Sequence, residues 1–236
     1  MKSLTINNFS ELPFDVAEAV NQLRVNLSFT DTNIKKIIIT SSIPNEGKSF
    51  LSLSLWRAMA QIGKKVLFVD ADLRLSEIRD IYDIQTSDTF FGLAHVLSGQ
   101  CDIQDALYKT NIPNAYMIPT VNAVGNPSFL LESEKLKEVL DQLSEVFDYV
   151  IIDTPPIGTV ADALTIGKVA DGNLLVVRSG FTKKRLVKDS VERLKITGQP
   201  LLGIVLNRVD VSKNSSYYYK GYGSYYGHYN TDKKSK

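Results

Sequence analysis

The run Ser41-Ser42-Ile43-Pro44-Asn45-Glu46-Gly47-Lys48-Ser49 ends in the G-K-S of a phosphate-binding loop. Gly47 lets the backbone bend so that successive N–H groups face one anion; Lys48 brings a mobile positive charge and Ser49 a hydroxyl suited to Mg²⁺. Ser42 stands where the usual pattern has its first glycine. A helix start after a polar loop would look much the same. The setting, after the apolar run KIIIT and before an apolar helix, is what points to phosphate. Two further runs end in acids. VLFVDADLR places Asp70 and Asp72 two residues apart, and a strand continuing that far would aim both carboxylates the same way, able to share a metal or a proton. YVIIDTPP brings in Asp153, suited to a water-mediated Mg²⁺ contact. Any one acid could be a solvated loop residue or a helix cap; three beside a phosphate loop converge on one crevice.

Such a crevice needs strand ends to hold it. Strands are expected at 36–40, 65–70, 115–119, 149–153, 173–178 and 202–207, several apolar throughout, as parallel strands covered on both faces are. Helical periodicity fills 15–28, 49–61, 90–98, 128–147, 161–169 and 183–196. Strand and helix in alternation predict a doubly wound, mostly parallel α/β sheet in one domain, with sites at the carboxyl ends of its strands.

Composition narrows the functional classes. The 236 residues are 44% apolar and 22% charged with net charge +1, which gives no general reason to expect nucleic acid as a partner. One cysteine, Cys101, and two histidines, His95 and His228, exclude an internal disulfide and a Cys-His zinc set. The expected setting is cytoplasmic: no apolar run approaches the roughly 20 residues of a membrane span, and the amino-terminal stretch lacks the apolar core of a signal peptide.

From about Ser212 the pattern stops. Residues 213–236 hold five lysines and one aspartate, a net of +4, against −3 for residues 1–212, and contain no Leu, Ile, Val, Phe, Trp or Met. The expected division is therefore a domain over 1–211 and a disordered tail over 212–236. Seven of the 11 tyrosines crowd into that tail: Tyr217, Tyr218, Tyr219, Tyr222, Tyr225, Tyr226 and Tyr229. Beside an ATP-type site, their hydroxyls are candidate phosphate acceptors. Complete phosphorylation would move the tail from +4 to roughly −6 to −10.

The phosphate loop, D-A-D-L-R, I-I-D-T-P-P and the tyrosine tail together resemble the bacterial tyrosine kinases of capsule and exopolysaccharide synthesis, over nearly the whole chain. The resemblance implies a P-loop fold related to partitioning-type ATPases, ATP and Mg²⁺ as cofactors, and autophosphorylation of the tail in trans. It makes Gly47, Lys48 and Ser49 the Walker A residues, Asp70 and Asp72 the Walker A′ acids and Asp153 the Walker B acid. It implies Lys48 on the β and γ phosphates, Ser49, Asp72 and Asp153 around the ion, and Asp70 as the acid that accepts the tyrosine proton, a role Asp72 could exchange with it. Ser42, Asn45 and Glu46 would complete the nucleotide loop and Asn207 would recognise adenine. Asn45 replaces a glycine of the usual loop, and asparagine tolerates φ > 0 better than most residues.

Near the amino end, Glu18, Asn21 and Arg24 resemble the E-x-x-R-x-x-R helix through which family members associate, with Asn21 in place of the first arginine. The implied partners are a second copy of the chain, in a ring, a membrane adaptor that activates the kinase from the inner face of the plasma membrane, and a cognate tyrosine phosphatase. The expected form is the separate cytoplasmic kind rather than one fused to a membrane protein. Two rival functions share these features, a partitioning or division-site ATPase and a nonenzymatic nucleotide-sensing scaffold. The first carries a second lysine early in the loop, at the position of Ile43 here.

Overall fold

The computed structural model describes residues 1–210. The expected tail over 212–236 and its seven tyrosines lie outside the described residues. In chain order the elements are β1 (Lys2–Ser3), β2 (Thr5–Ile6), α1 (Phe14–Ser28), β3 (Lys36–Ser41), α2 (Lys48–Gln61), β4 (Val66–Asp70), α3 (Ile78–Ile81), β5 (Ile84–Gln85), α4 (Leu93–Leu97), α5 (Ile103–Ala106), β6 (Tyr108–Lys109), β7 (Ala115–Ile118), α6 (Ser128–Leu131), α7 (Glu134–Val146), β8 (Tyr149–Asp153), α8 (Asp162–Gly167), β9 (Gly172–Arg178), α9 (Lys184–Lys195) and β10 (Leu201–Asn207). All six expected strands form within one residue of their expected bounds.

The main sheet runs β1-β6-β7-β4-β8-β3-β9-β10, parallel except where β6 meets β7. Its central strands are apolar on both faces because each face is covered. Ile38, Leu67, Val69 and Ile152 pack with α7 and α8 residues on one side; Ile37, Ile39, Phe68 and Ile151 pack with α1 and α2 residues on the other. Helix α7 buries Leu136, Val139, Leu140 and Leu143, a single stripe at helical spacing. Trp56 of α2 is fully buried and donates its indole N–H to the Val66 carbonyl (3.2 Å), which fixes α2 against β4.

The helix expected at 128–147 is two helices. The chain leaves α6 at Glu132, and Ser133, in extended conformation, starts α7 anew. The 90–98 helix shortens to 93–97, because Gly92 is extended and a Cβ there would lie 2.2 Å from the Pro119 carbonyl. Strand β4 stops at Asp70, so Asp72 is placed by a turn rather than by the strand's pleat.

Candidate active site

Strands β3, β4 and β8 are adjacent, and their carboxyl ends open on one crevice. From Ser41 the chain runs through the loop into α2, which begins at Lys48. Asn45 takes φ +65° and Gly47 φ +83°, so the loop makes two left-handed residues in three. At Gly47 a Cβ would lie 2.2 Å from Asn207 Nδ2, so glycine is required for space as well as for conformation.

Asp153 is fully buried at the end of β8 and is satisfied entirely from α2. Lys48 Nζ lies 2.5 Å from Oδ2, Ser49 Oγ donates to the same oxygen (2.8 Å) and Ser52 Oγ to Oδ1 (2.7 Å). Lys48 Nζ also donates to Ser49 Oγ (3.0 Å). Ser52 went unrecognised in the sequence. It lies one turn beyond Lys48 on the same helix face, a polar residue in an apolar helix.

Asp70 is also buried. Its Oδ2 accepts from Ser76 Oγ (2.5 Å) and Thr120 N–H (3.4 Å), and its Oδ1 from Asp72 N–H (3.3 Å). Burial pushes its carboxyl up to about 7; the Ser76 hydrogen bond opposes this, Asp153 adds to it, Lys48 opposes it and Asp72 adds slightly more. Asp72 is half-buried, accepts Leu75 N–H at Oδ1 (3.1 Å) and is raised too, by burial first, against the pull of Lys48.

Three of the residues expected at the nucleotide also support the loop. The Glu46 carboxylate is buried and accepts from Ile43 N–H (2.9 Å), Arg178 N–H (3.0 Å) and Thr182 Oγ1. Ser42 is buried and accepts from Ser190 Oγ of α9 (2.9 Å). Asn207 donates its side-chain amide to the Glu46 carbonyl (2.8 Å) and accepts from Arg208 N–H (2.9 Å), so it clamps the end of the loop. Arg74 answers an acid: Nε and Nη2 fork onto buried Asp162 (2.7 and 2.9 Å).

Away from the crevice, Glu18 is exposed on α1 while Asn21 and Arg24 are half-buried. Helix α1 packs on α2, and Asn21 lines a cleft of about 250 Å³ there with Leu12, Arg57 and Gln61.

The donors fit a magnesium nucleotide. A 14-residue helix points its amino end into the crevice, glycine keeps the cradle open, and an ammonium stands beside hydroxyl and carboxylate oxygens, the hard ligands Mg²⁺ takes. Among the described residues no group of three or more His, Cys, Asp or Glu could hold a metal ion by itself. An ion here would share its coordination between one or two carboxylates and phosphate oxygens, the usual pattern for Mg²⁺.

Residues 34–181 match the family model described as AAA domain. Tyrosine-protein kinase CpsD of Streptococcus agalactiae is 37% identical over 208 residues, covering 88% of this chain and 89% of that protein. Tyrosine-protein kinase YwqD of Bacillus subtilis (strain 168) is 36% identical over 207 residues, 87% and 86% of the two chains. Among solved structures, the chimerical protein CapA2B2 superposes with a TM-score of 0.78 at 34% identity, covering 87% of this chain and 92% of that one.

Proposed function

The chain belongs to the family of bacterial tyrosine-protein kinases, and from that membership we propose that it uses Mg-ATP to phosphorylate the tyrosines at 217–229 of a second copy, in the service of capsular or exopolysaccharide synthesis. The chain is a kinase, and its loop is a nucleotide loop. The carrying observation is the convergence of Lys48, Ser49 and Asp153 with Asp70 and Asp72 at the ends of three adjacent strands.

Mg-ATP supplies the transferable phosphoryl group and the ion that offsets its charge. Lys48 would hold the β and γ phosphates, and Ser49, Asp153 and Asp72 would hold the ion. The phenol arrives neutral, since tyrosine ordinarily ionises near pH 10, so a carboxylate must take its proton as its oxygen bonds the γ phosphorus and the bond from that phosphorus to the β–γ bridging oxygen breaks, releasing ADP. Of the two acids that could exchange this task, Asp70 and Asp72, the geometry favours Asp72. Asp70 is buried with both oxygens engaged, whereas Asp72 is the more open of the two. Asp70 stands behind it and sets its orientation through the Asp72 N–H. Glu46 and Asn207 hold the loop's curvature, so that its amides remain aimed at phosphate.

The wider reading includes association through the α1 face of Glu18, Asn21 and Arg24, a cytoplasmic position at the inner face of the plasma membrane, an activating membrane adaptor and an opposing phosphatase. No helix among the described residues is long and apolar enough to cross a membrane. The division-site ATPase reading is weaker, for Ile43 stands where its second lysine is needed. Transfer between subunits is tested by mixing a Lys48→Met chain, able only to accept, with a chain whose seven tail tyrosines are Phe, able only to donate. Phosphotyrosine on the Lys48→Met chain supports the proposal; its absence from the mixture, with wild type active alone, overturns transfer in trans.

A further inference from the structure

We infer that Leu75 and Phe129 form an apolar seat for the acceptor ring, and that its occupant is the tyrosine segment of a second copy of this chain; the inference rests on the kinase reading above.

The turn after β4 is wrapped around the acids. Leu75 N–H caps Asp72 and Ser76 Oγ caps Asp70, so Leu75 is held one turn from the carboxylates while its side chain stays 75% exposed. Arg74 extends the same turn sideways. While forked on Asp162, its Nη2 also donates to Ser128 Oγ (3.1 Å), and Val124 N–H donates to the Leu73 carbonyl (2.7 Å). These bonds lay the 124–128 segment against the turn, and the next residue, Phe129, is 81% exposed. Its neighbour Leu131 is buried, so α6 already has its anchor without Phe129. Two large apolar side chains thus face water, Leu75 beside the acids and Phe129 on a segment hydrogen-bonded to the same turn.

The matching ligand has an apolar ring, a polar tip and a positively charged carrier. Tyrosine supplies the first two. The chain beyond the described residues supplies seven of them between 217 and 229 on a segment of net +4, against −3 for the body. A second copy is the better source than the chain's own end. That end follows β10, four strands from β4, roughly 19 Å away at the usual strand spacing. Strand β3 and its phosphate loop lie between, so a chain's own segment would cross the loop it must leave open, whereas a second copy's approaches from solvent.

The test is the binding of a fluorescent synthetic peptide of residues 212–236 to the full chain with Mg-ADP, the chain's own seven tail tyrosines being changed to Ser. The expected result is measurable binding that weakens by roughly tenfold or more in Leu75→Ser/Phe129→Ser. It recovers in Leu75→Met/Phe129→Tyr, while Mg-ADP affinity stays unchanged throughout. A peptide with all tyrosines changed to Ser should bind weakly and be indifferent to the seat. Equal binding to the intact and Ser-substituted seats overturns the inference, as does no measurable binding. Unchanged peptide binding with weakened self-association of the seat variant also overturns it, marking the patch as a subunit contact. Seat-dependent binding in a chain that transfers no phosphate to tyrosine would leave the seat standing and remove the kinase reading instead.

Discussion

Asp70 and Asp153 are register partners at the carboxyl ends of the adjacent parallel strands β4 and β8, both buried, with Lys48 bonded to Asp153 at 2.5 Å. Parallel register makes the pairing unavoidable once both strands end in an acid at the same level. Two carboxylates and one ammonium in a shielded place are strongly coupled, and most of the expected behaviour follows from that imbalance.

Replacing Lys48 with Met should abolish phosphotyrosine formation and also destabilise the fold. Asp153 keeps its Ser49 and Ser52 hydrogen bonds but loses its counter-charge, a loss of about 3 kcal/mol at neutral pH. Denaturant titrations of wild type and variant at neutral pH check the loss.

The Asp70 carboxyl, raised to about 7 by burial, makes stability depend on pH in a definite direction. Its folded value lies above the ordinary one near 4, so the folded protein holds a proton that the unfolded chain releases. The resulting penalty is absent below about pH 4, grows as pH rises and is complete above about pH 7, with a ceiling of roughly 4 kcal/mol. Asp70→Asn should therefore flatten the pH profile and raise stability at pH 8. Melting curves in chelator between pH 5 and pH 9 give the comparison; parallel profiles would count against it.

Gly47→Ala meets two obstacles, the left-handed backbone and the Asn207 amide. Nucleotide affinity should fall by about 100-fold. Adding Asn207→Ala removes the clash but not the backbone strain, so the double variant should bind about tenfold more tightly than Gly47→Ala alone, about 1.4 kcal/mol. Calorimetric titration with Mg-ADP across the four proteins measures it.

Glu46→Ala should weaken Mg-ADP binding by about tenfold while leaving turnover at saturating ATP within about threefold. The carboxylate holds the loop through Ile43, Arg178 and Thr182. Separate measurement of KM for ATP and of kcat distinguishes this from a contact made to the reacting phosphate.

Much of this crevice was legible because it is built from local signals. KIIIT, VLFVD and YVIID each carry an unbroken apolar run (Ile37–Ile39, Val66–Val69, Val150–Ile152), as a doubly covered parallel strand needs, and each leads directly into its chemical residues. The supports were not legible. Glu46 reaches Thr182 across 136 positions and Arg74 reaches Asp162 across 88, and no spacing rule links residues so far apart. Glu46, Ser42 and Asn207 therefore stood out by residue type and location, while the partners that hold them lay in distant segments. The break at Ser133 was hidden because both halves share a helical period, and β1, β2, β5 and β6 are too short to show any period at all.

The most direct measurement is to incubate the purified full chain with Mg-ATP, alone and with membranes of the cells that produce it, and to map phosphate by mass spectrometry. The expected result is phosphate on tyrosines between 217 and 229, absent from the Lys48→Met chain. Conversion of ATP to ADP and inorganic phosphate with no phosphotyrosine in either setting would contradict it.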